Sequence, residues 1–139
     1  MAFAGISYLA IIVAALAAWM FGAAYYTVLS KPWRIAAGLA QPGETTVSPP
    51  RPISIILSLV GEIFMAFVLA GSISHLGPGQ VTLRNGVISG AILWAGFIVT
   101  TLVVVYSYQR RPWMLTLIDS GHWLGVMVIM GLIIGGWGV

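Results

Sequence analysis

Four long apolar stretches, with at most one charged residue each, alternate with short polar segments along this chain. They cover about residues 6–30, 52–75, 86–108 and 112–137, apart from isolated polar residues within them. At 1.5 Å per residue, each stretch is long enough to cross a hydrocarbon core of roughly 30 Å. The pattern predicts an all-α fold, an integral membrane bundle of four transmembrane helices in a single domain that covers residues 1–139.

A basic and proline-rich segment separates the first two stretches. Lys31 and Trp33 directly follow the first stretch, and such residues commonly lie at the membrane–water interface. Residues 33–39, WRIAAGL, can form a short helix in the interface, with Trp33 in the lipid and Arg34 in water. Proline and glycine in the remainder of the 31–51 loop predict an exposed, irregular connection.

Small residues at helical spacing predict where two helices approach each other. In the third apolar stretch, Gly86, Gly90 and Trp94 recur at every fourth position and therefore lie on one face. Small residues let neighbouring membrane helices approach closely, so this face is predicted to be a packing seam.

The composition separates the chain from soluble domains. Of its 139 residues, 60% are hydrophobic and 6% are charged, whereas roughly a quarter of the residues of a soluble domain are charged. No basic leader precedes the first stretch, so we expect that stretch to be a retained helix and not a signal peptide. Cysteine is absent from the sequence, which excludes disulfides, thiolate metal sites and a cysteine nucleophile.

The basic residues predict the orientation of the helices. Four spans place the 31–51 loop and the 109–112 corner on one side of the membrane, and both termini with the 75–85 turn on the other. Five basic residues lie on the first side, and Arg84 alone lies on the second. The positive-inside rule then predicts that the first side is cytoplasmic and that both termini face outward. Because the basic residues lie in these connections, we expect no nucleic-acid partner.

A short pattern recurs after 80 residues. It consists of a tyrosine followed by a basic residue, a proline and a tryptophan: Tyr26, Lys31, Pro32 and Trp33 in the first copy, and Tyr106, Arg111, Pro112 and Trp113 in the second. One interpretation is two helical hairpins related by an axis along the membrane normal. The other is that aromatic, basic and proline residues gather at membrane exits in any protein.

Two segments carry a resemblance to a known family. They are WMFGAAYYTVLSKPWRIAAGL, at the end of the first helix, and LWAGFIVTTLVVVYSYQRRPWMLTLIDSGHWLGVMVIMGLIIGGW, which covers most of the second hairpin. With these segments the chain resembles the domain of unknown function family 1761. The resemblance implies a compact four-helix protein of the bacterial cytoplasmic membrane, and it brings no activity, cofactor or catalytic residue with it.

A few polar side chains fall inside the predicted helices, where each needs a partner or a role. Glu62 lies in the second helix, and Asp119 and His122 lie three residues apart on one face of the fourth. Counted at 1.5 Å per residue, they lie roughly 10 to 15 Å from the cytoplasmic end, near the level of several hydroxyl groups. The predicted polar layer comprises Glu62, Asp119, His122, Tyr25, Tyr26 and Thr101.

Three interpretations of this layer remain open. A hydrogen-bonded layer would fix the register of the helices. A proton or ion path would use Glu62 and Asp119. A metal site would have only three protein ligands, fewer than a di-iron bundle needs.

Several known chemistries do not fit the sequence, and we expect no catalytic residue, metal or other cofactor. Lys31, the single lysine, lies at a membrane exit and not inside the bundle, where retinal would need it. His75 and His122 lie toward opposite sides of the membrane and cannot share a haem. Ser120 points off the face that Asp119 and His122 share, which disfavours a hydrolase triad.

Arg110 and Arg111 form a basic corner just before the fourth helix. Asp119 lies about one and a half to two turns into that helix, a distance that a long arginine side chain can partly bridge. We therefore expect the corner either to pair with the buried acid or to contact anionic lipid. The predicted interfacial anchors are Lys31, Trp33, Arg110, Arg111 and Trp113.

These features favour a non-enzymatic protein that works through helix packing, as a homo-oligomer or as an accessory subunit of a larger membrane complex. Its expected partners are membrane lipids and other membrane subunits or copies of itself. The alternative is a small transporter or channel for protons, ions or solutes that uses Glu62, Asp119 and His122.

Overall fold

The computed structural model describes residues 5–138, and every regular element in this range is helical. The helices are Tyr8–Val28 (α1), Ser30–Ala36 (α2), Pro52–Ser74 (α3), Leu83–Tyr108 (α4) and Trp113–Trp137 (α5). All except α2 are long and apolar enough to cross a membrane, which confirms the predicted all-α class with four spans. The predicted domain also included residues 1–4 and 139, which lie outside the described residues.

Three span starts differ slightly from the prediction, and the first of them is α1, which begins at Tyr8 in place of residue 6. The Thr82 hydroxyl accepts a hydrogen bond from the Asn85 amide (3.2 Å), and this cap starts α4 at Leu83, three residues before the predicted position. Pro112 has an extended backbone and lies one position before α5, not inside its first turn.

Helix α5 is the centre of the bundle. It packs against α1 on one side and α4 on the other, and α3 packs mainly against α1. In an apolar 18-residue stretch of each span, 50% of the residues are buried in α5 but only 6% in α4. Thus α5 is enclosed by protein, whereas α4 lies at the edge with most of its surface uncovered.

Small side chains bring α1 close to its neighbours. Ala14, Ala15 and Ala18 are fully buried, and Gly22 continues the same buried face. Larger side chains such as Leu69 of α3 and Met130 of α5 fill the space that these residues leave. The core is therefore made by close approach of backbones together with a few large side chains.

Glycines make the predicted seam between α4 and α5. A methyl group on Gly86 would meet the carbonyl group of Gly131, and one on Gly90 would meet the carbonyl group of Met127. Trp94 extends the seam, because its indole N–H donates to the Ser120 carbonyl at 2.8 Å. The predicted packing face of the third span is confirmed.

The backbone of α4 widens beside this seam. Residues Trp94–Val99 form a π-helical segment, and Phe97 on its outer side is 70% exposed. A π-helical turn places an extra residue in the turn and shifts the side chains that follow it.

The short helix after α1 is oriented differently from the prediction. It covers Ser30–Ala36 in place of 33–39, and Trp33 turns toward α5 and not into lipid. Ile35 and Leu39 are exposed. We call the end of the bundle that carries this helix and the 109–112 corner the basic end.

Candidate functional site

The carboxylate of Asp119 accepts three hydrogen bonds inside the bundle. Its Oδ1 atom accepts from the Tyr26 hydroxyl at 2.7 Å and from the Trp33 indole N–H at 3.0 Å. Its Oδ2 atom accepts from the Tyr106 hydroxyl at 2.5 Å. Asp119 is only 6% exposed, so these donors take the place of the water that a carboxylate would otherwise bind. We call Asp119 and its three donors the Asp119 network.

The three donors come from three different helices. Tyr26 lies in the last turn of α1, and Tyr106 lies in the last turn of α4. The chain leaves α1 at Leu29 and enters α2, which brings Trp33 back against α5. A single side chain of α5 therefore joins α1, α2 and α4 at the basic end.

Two further bonds reach the α5 backbone on either side of Asp119. The Tyr25 hydroxyl donates to the Ile118 carbonyl at 2.6 Å, and the Trp94 indole donates to the Ser120 carbonyl at 2.8 Å. Both carbonyls lie within α5. Because a carbonyl oxygen has two lone pairs, each can accept a side-chain hydrogen bond in addition to its bond within the helix. The first turns of α5 are thereby held from the α1 side and from the α4 side.

His122 lies one turn further along α5 among aromatic rings. Its ring is parallel to that of Phe21 (interplanar angle 4°) and lies 4.7 Å from that of Tyr26, measured between centroids. Gly22 packs against the Nε2 atom, and a side chain at this position would collide with the His122 ring. The Nδ1 atom is buried and has no hydrogen-bond partner in the described part of the chain. His122 is therefore packed beside the Asp119 network without being bonded to it.

Glu62 does not share the depth of Asp119, although the sequence placed both in one layer. The Trp19 indole donates to the Ser58 hydroxyl at 2.9 Å, which sets Ser58 level with Trp19, and Glu62 lies one turn further from the basic end. Tyr26, which marks the level of Asp119, lies two turns from Trp19 in the opposite direction. At 1.5 Å per residue, the two carboxyl groups are separated by roughly 10 Å or more along the bundle.

The environment of Glu62 also differs from that of Asp119. Glu62 is 2% exposed, and its Oε2 atom has no hydrogen-bond partner within residues 5–138. Within the same residues, no three His, Asp or Glu side chains are grouped so that they could hold a metal ion. The predicted layer thus divides into a bonded site at Asp119 and a separate buried carboxyl at Glu62.

The Thr101 hydroxyl forms its hydrogen bond within α4 and not with the other residues of the predicted polar layer. Its hydroxyl donates to the Phe97 carbonyl at 2.5 Å, and the neighbouring Thr100 hydroxyl donates to Gly96 at 2.8 Å. Both residues are exposed on α4. The hydroxyl from α4 that reaches Asp119 is that of Tyr106, one and a half turns nearer the basic end.

The basic corner does not pair with Asp119. Arg110 and Arg111 are exposed, and the Arg111 guanidinium lies against Gly38 at the end of the α2 region. Neutral donors already satisfy the carboxylate, so an arginine need not leave the interface to reach it. Among the predicted anchors, Lys31 and Trp113 are exposed, whereas Trp33 belongs to the Asp119 network.

The predicted polar layer did not include Tyr106, Trp33 or Trp94. Trp33 is predicted only as an interfacial anchor and Trp94 only as part of the packing seam, and the prediction gives Tyr106 no role at the site. The 80-residue repeat contained the signal for Tyr106, because it aligns this residue with Tyr26. In the structure, these two tyrosines bond to the two oxygens of the same carboxylate. The repeat does not extend to the tryptophans, since Trp33 turns inward and Trp113 is 69% exposed.

Ser120, His122 and Asp119 do not form a hydrogen-bonded triad. Ser120 Oγ and His122 Nδ1 are both buried, and neither has a hydrogen-bond partner in the described residues. A hydrolase triad needs serine, histidine and carboxylate in one hydrogen-bonded chain. Here the carboxylate is bonded to tyrosine and tryptophan, whose neutral side chains act as donors to it.

We expect the two tyrosine hydroxyls to stabilise the fold measurably. Tyr26→Phe and Tyr106→Phe each remove one donor to Asp119, and each should lower the free energy of unfolding by about 0.6 to 1.7 kcal/mol, the range for hydrogen bonds between membrane helices. Equilibrium unfolding in mixed micelles measures this loss. Tyr108→Phe is the matched control, because Tyr108 is 88% exposed. Equal stability of all three variants and the parent protein would contradict the assignment.

Comparison with known proteins identifies the family of the chain but no individual curated protein or solved structure that resembles it. Searches of the curated proteins and of the solved structures find no match. The family model described as "Protein of unknown function (DUF1761)" matches residues 9–135, which include all four spans almost completely and every member of the Asp119 network. A match over nearly the whole length, together with the four-span fold, shows that this chain is a member of the DUF1761 family.

Proposed function

We propose that this protein is a non-enzymatic membrane subunit that works through helix packing and assembles with a second copy of itself through the uncovered face of α4. The proposal rests mainly on the exposure of α4: only 6% of the residues in its apolar 18-residue stretch are buried, compared with 50% in α5. The same helix is packed and hydrogen-bonded on its inner side by the glycine seam and by Tyr106. A helix that is bonded on one side and uncovered on the other is suited to packing against another helix.

The chemistry of this face fits a second copy. Ile92, Phe97 and Val104 are 65%, 70% and 55% exposed, and the exposed residues Ala95 and Gly96 lie between them. Small residues allow close approach, and the larger ones can pack around them. Because this face has no formal charge, two copies can meet across a two-fold axis without repulsion between like charges.

We also propose that the protein resides in a bacterial cytoplasmic membrane with the basic end inside. The support is the distribution of five basic residues on the connections at that end against Arg84 at the other. In this orientation both ends of the described chain face outward.

Single-cysteine cross-linking in native membranes tests the assembly, because the natural chain has no cysteine. We expect copies that carry Ile92→Cys, Phe97→Cys or Val104→Cys to form disulfide-linked dimers on mild oxidation, most strongly at the position nearest the two-fold axis. Ser48→Cys and Leu76→Cys, in connections at opposite ends of the bundle, report the orientation through labelling with an impermeant maleimide. Labelling of Ser48→Cys from outside intact cells would contradict the proposed orientation.

The matched controls are exposed positions on other spans. Phe64 of α3 and Leu117 of α5 are each 67% exposed, close to the exposure of Phe97. Cysteine at these positions should give little dimer. Equal cross-linking at all positions, or none on α4, would refute self-assembly through this face, and a cross-link from α4 to a different protein would instead identify an accessory subunit.

A small transporter is the second candidate, and Glu62 is the observation that favours it. A buried carboxyl oxygen without a partner is costly inside a membrane protein, and such groups commonly mark ion or proton paths.

Flux measurements in liposomes separate the two candidates. A transporter that uses Glu62 should carry protons or a monovalent cation above the rate of empty liposomes, and Glu62→Gln should abolish that rate while leaving α4 cross-linking unchanged. Ser58→Ala, one turn away on α3, is the control and should retain the rate. Equal rates in wild-type, Glu62→Gln and empty liposomes would eliminate this candidate for the ions tested.

A further inference from the structure

A cavity of about 180 Å³ lies at the basic end between α2 and the start of the following loop. Its lining includes Lys31, Arg34 and Ile35 from α2, and Gln41, Glu44 and Thr45 from the loop. Helix α2 directly follows the α1 span, so the cavity is placed where the apolar span ends and lipid headgroups begin. None of its lining residues belongs to the Asp119 network.

The cations of this cavity have no anionic partner among residues 5–138. The Arg34 Nη1 atom is buried without a hydrogen-bond acceptor. Neither Arg34 nor Lys31 forms an ion pair within the described residues. The Arg34 side chain lines the cavity, and a guanidinium without an acidic partner keeps hydrogen-bond donors that an anion there can use.

Glu44 is the single acidic residue of the cavity, and its bonding is local. Its Oε2 atom accepts a hydrogen bond from the Gln41 amide at 2.9 Å, within one turn of the loop. The cavity therefore combines two positive charges with one negative charge, and that negative charge is already bonded to the backbone N–H of Gln41. This excess of positive charge favours an anionic ligand.

We propose that this cavity binds a phosphate group, with Arg34 and Lys31 as its cationic ligands. The planar guanidinium of arginine matches the oxygens of a phosphate, and the lysine ammonium adds a second charge beside it. The group is presented either by the headgroup of an anionic phospholipid or by a soluble phosphate. The apolar side chains of Ile35 and Val47, which also line the cavity, favour the lipid, whose glycerol and acyl portions they can contact.

This inference is independent of assembly through α4, because the cavity lies on α2 and the loop. Charge variants of the cavity leave the α4 face intact. Failure of one proposal therefore leaves the other standing.

Binding to the purified full-length chain in a neutral detergent tests the inference. The probes are short-chain phosphatidylglycerol and, separately, inorganic phosphate, with binding measured by native mass spectrometry or calorimetry. Lys31→Gln and Arg34→Gln should each weaken binding about fivefold, since a basic residue at such a surface contributes about 1 kcal/mol. Glu44→Gln should strengthen binding, because it removes the negative charge of the cavity and keeps an oxygen that can accept from Gln41.

Arg84→Gln is the matched control, because it removes the same charge at the opposite end of the bundle. Lys31→Gln alters an exposed side chain, so it remains informative even if Arg34→Gln does not fold. Binding of phosphatidylglycerol that inorganic phosphate does not displace assigns the site to lipid, whereas binding of phosphate itself with the same dependence on Lys31 assigns it to a soluble phosphate. Weakening by Arg84→Gln equal to that by Lys31→Gln, or no binding of either probe, overturns the proposal.

Discussion

The burial of one carboxylate on the central helix constrains the rest of this structure. Asp119 lies six residues after the start of α5, roughly 9 Å into the bundle, where an unbonded carboxylate would be costly. Tyr26 and Tyr106 meet this need only if α1 and α4 end at the level of Asp119. Trp33 meets it only if the chain folds back after α1. The positions of three helices at the basic end thus follow from one side chain.

At the opposite end of the bundle, close backbone packing positions α4 against α5. Gly86 and Gly131 meet near the start of α4, far from Asp119, and leave no room for a side chain between the helices. Hydrogen bonds therefore hold α4 against α5 at the basic end. Close backbone contact at the glycines holds the two helices together at the opposite end. With both ends held on the inner side, the outer face of α4 remains uncovered, which is why we assign assembly to it.

The sequence predicted the four spans and the glycine seam because both depend on local patterns: the length of apolar runs, and small residues at every fourth position. It also identified Asp119, Tyr26 and His122 as polar groups of one region. It did not predict that Tyr106 completes the network or that Trp33 turns inward, because both depend on how the 29–36 segment and the end of α4 meet α5. The depth of Glu62 was misjudged for a similar reason, since counting residues from a helix end ignores the stagger between helices that the Trp19–Ser58 bond reveals.

The most direct test of the account compares Asp119→Asn with Asp119→Leu in equilibrium unfolding. An asparagine oxygen can still accept from Tyr26 and Trp33, and its amide can donate to the Tyr106 oxygen, so we predict a loss below about 1 kcal/mol. Leucine leaves all three donors without an acceptor, and at about 0.6 kcal/mol per bond the loss should be about 2 kcal/mol. Equal, negligible losses for both variants would show that Asp119 does not hold the helices together.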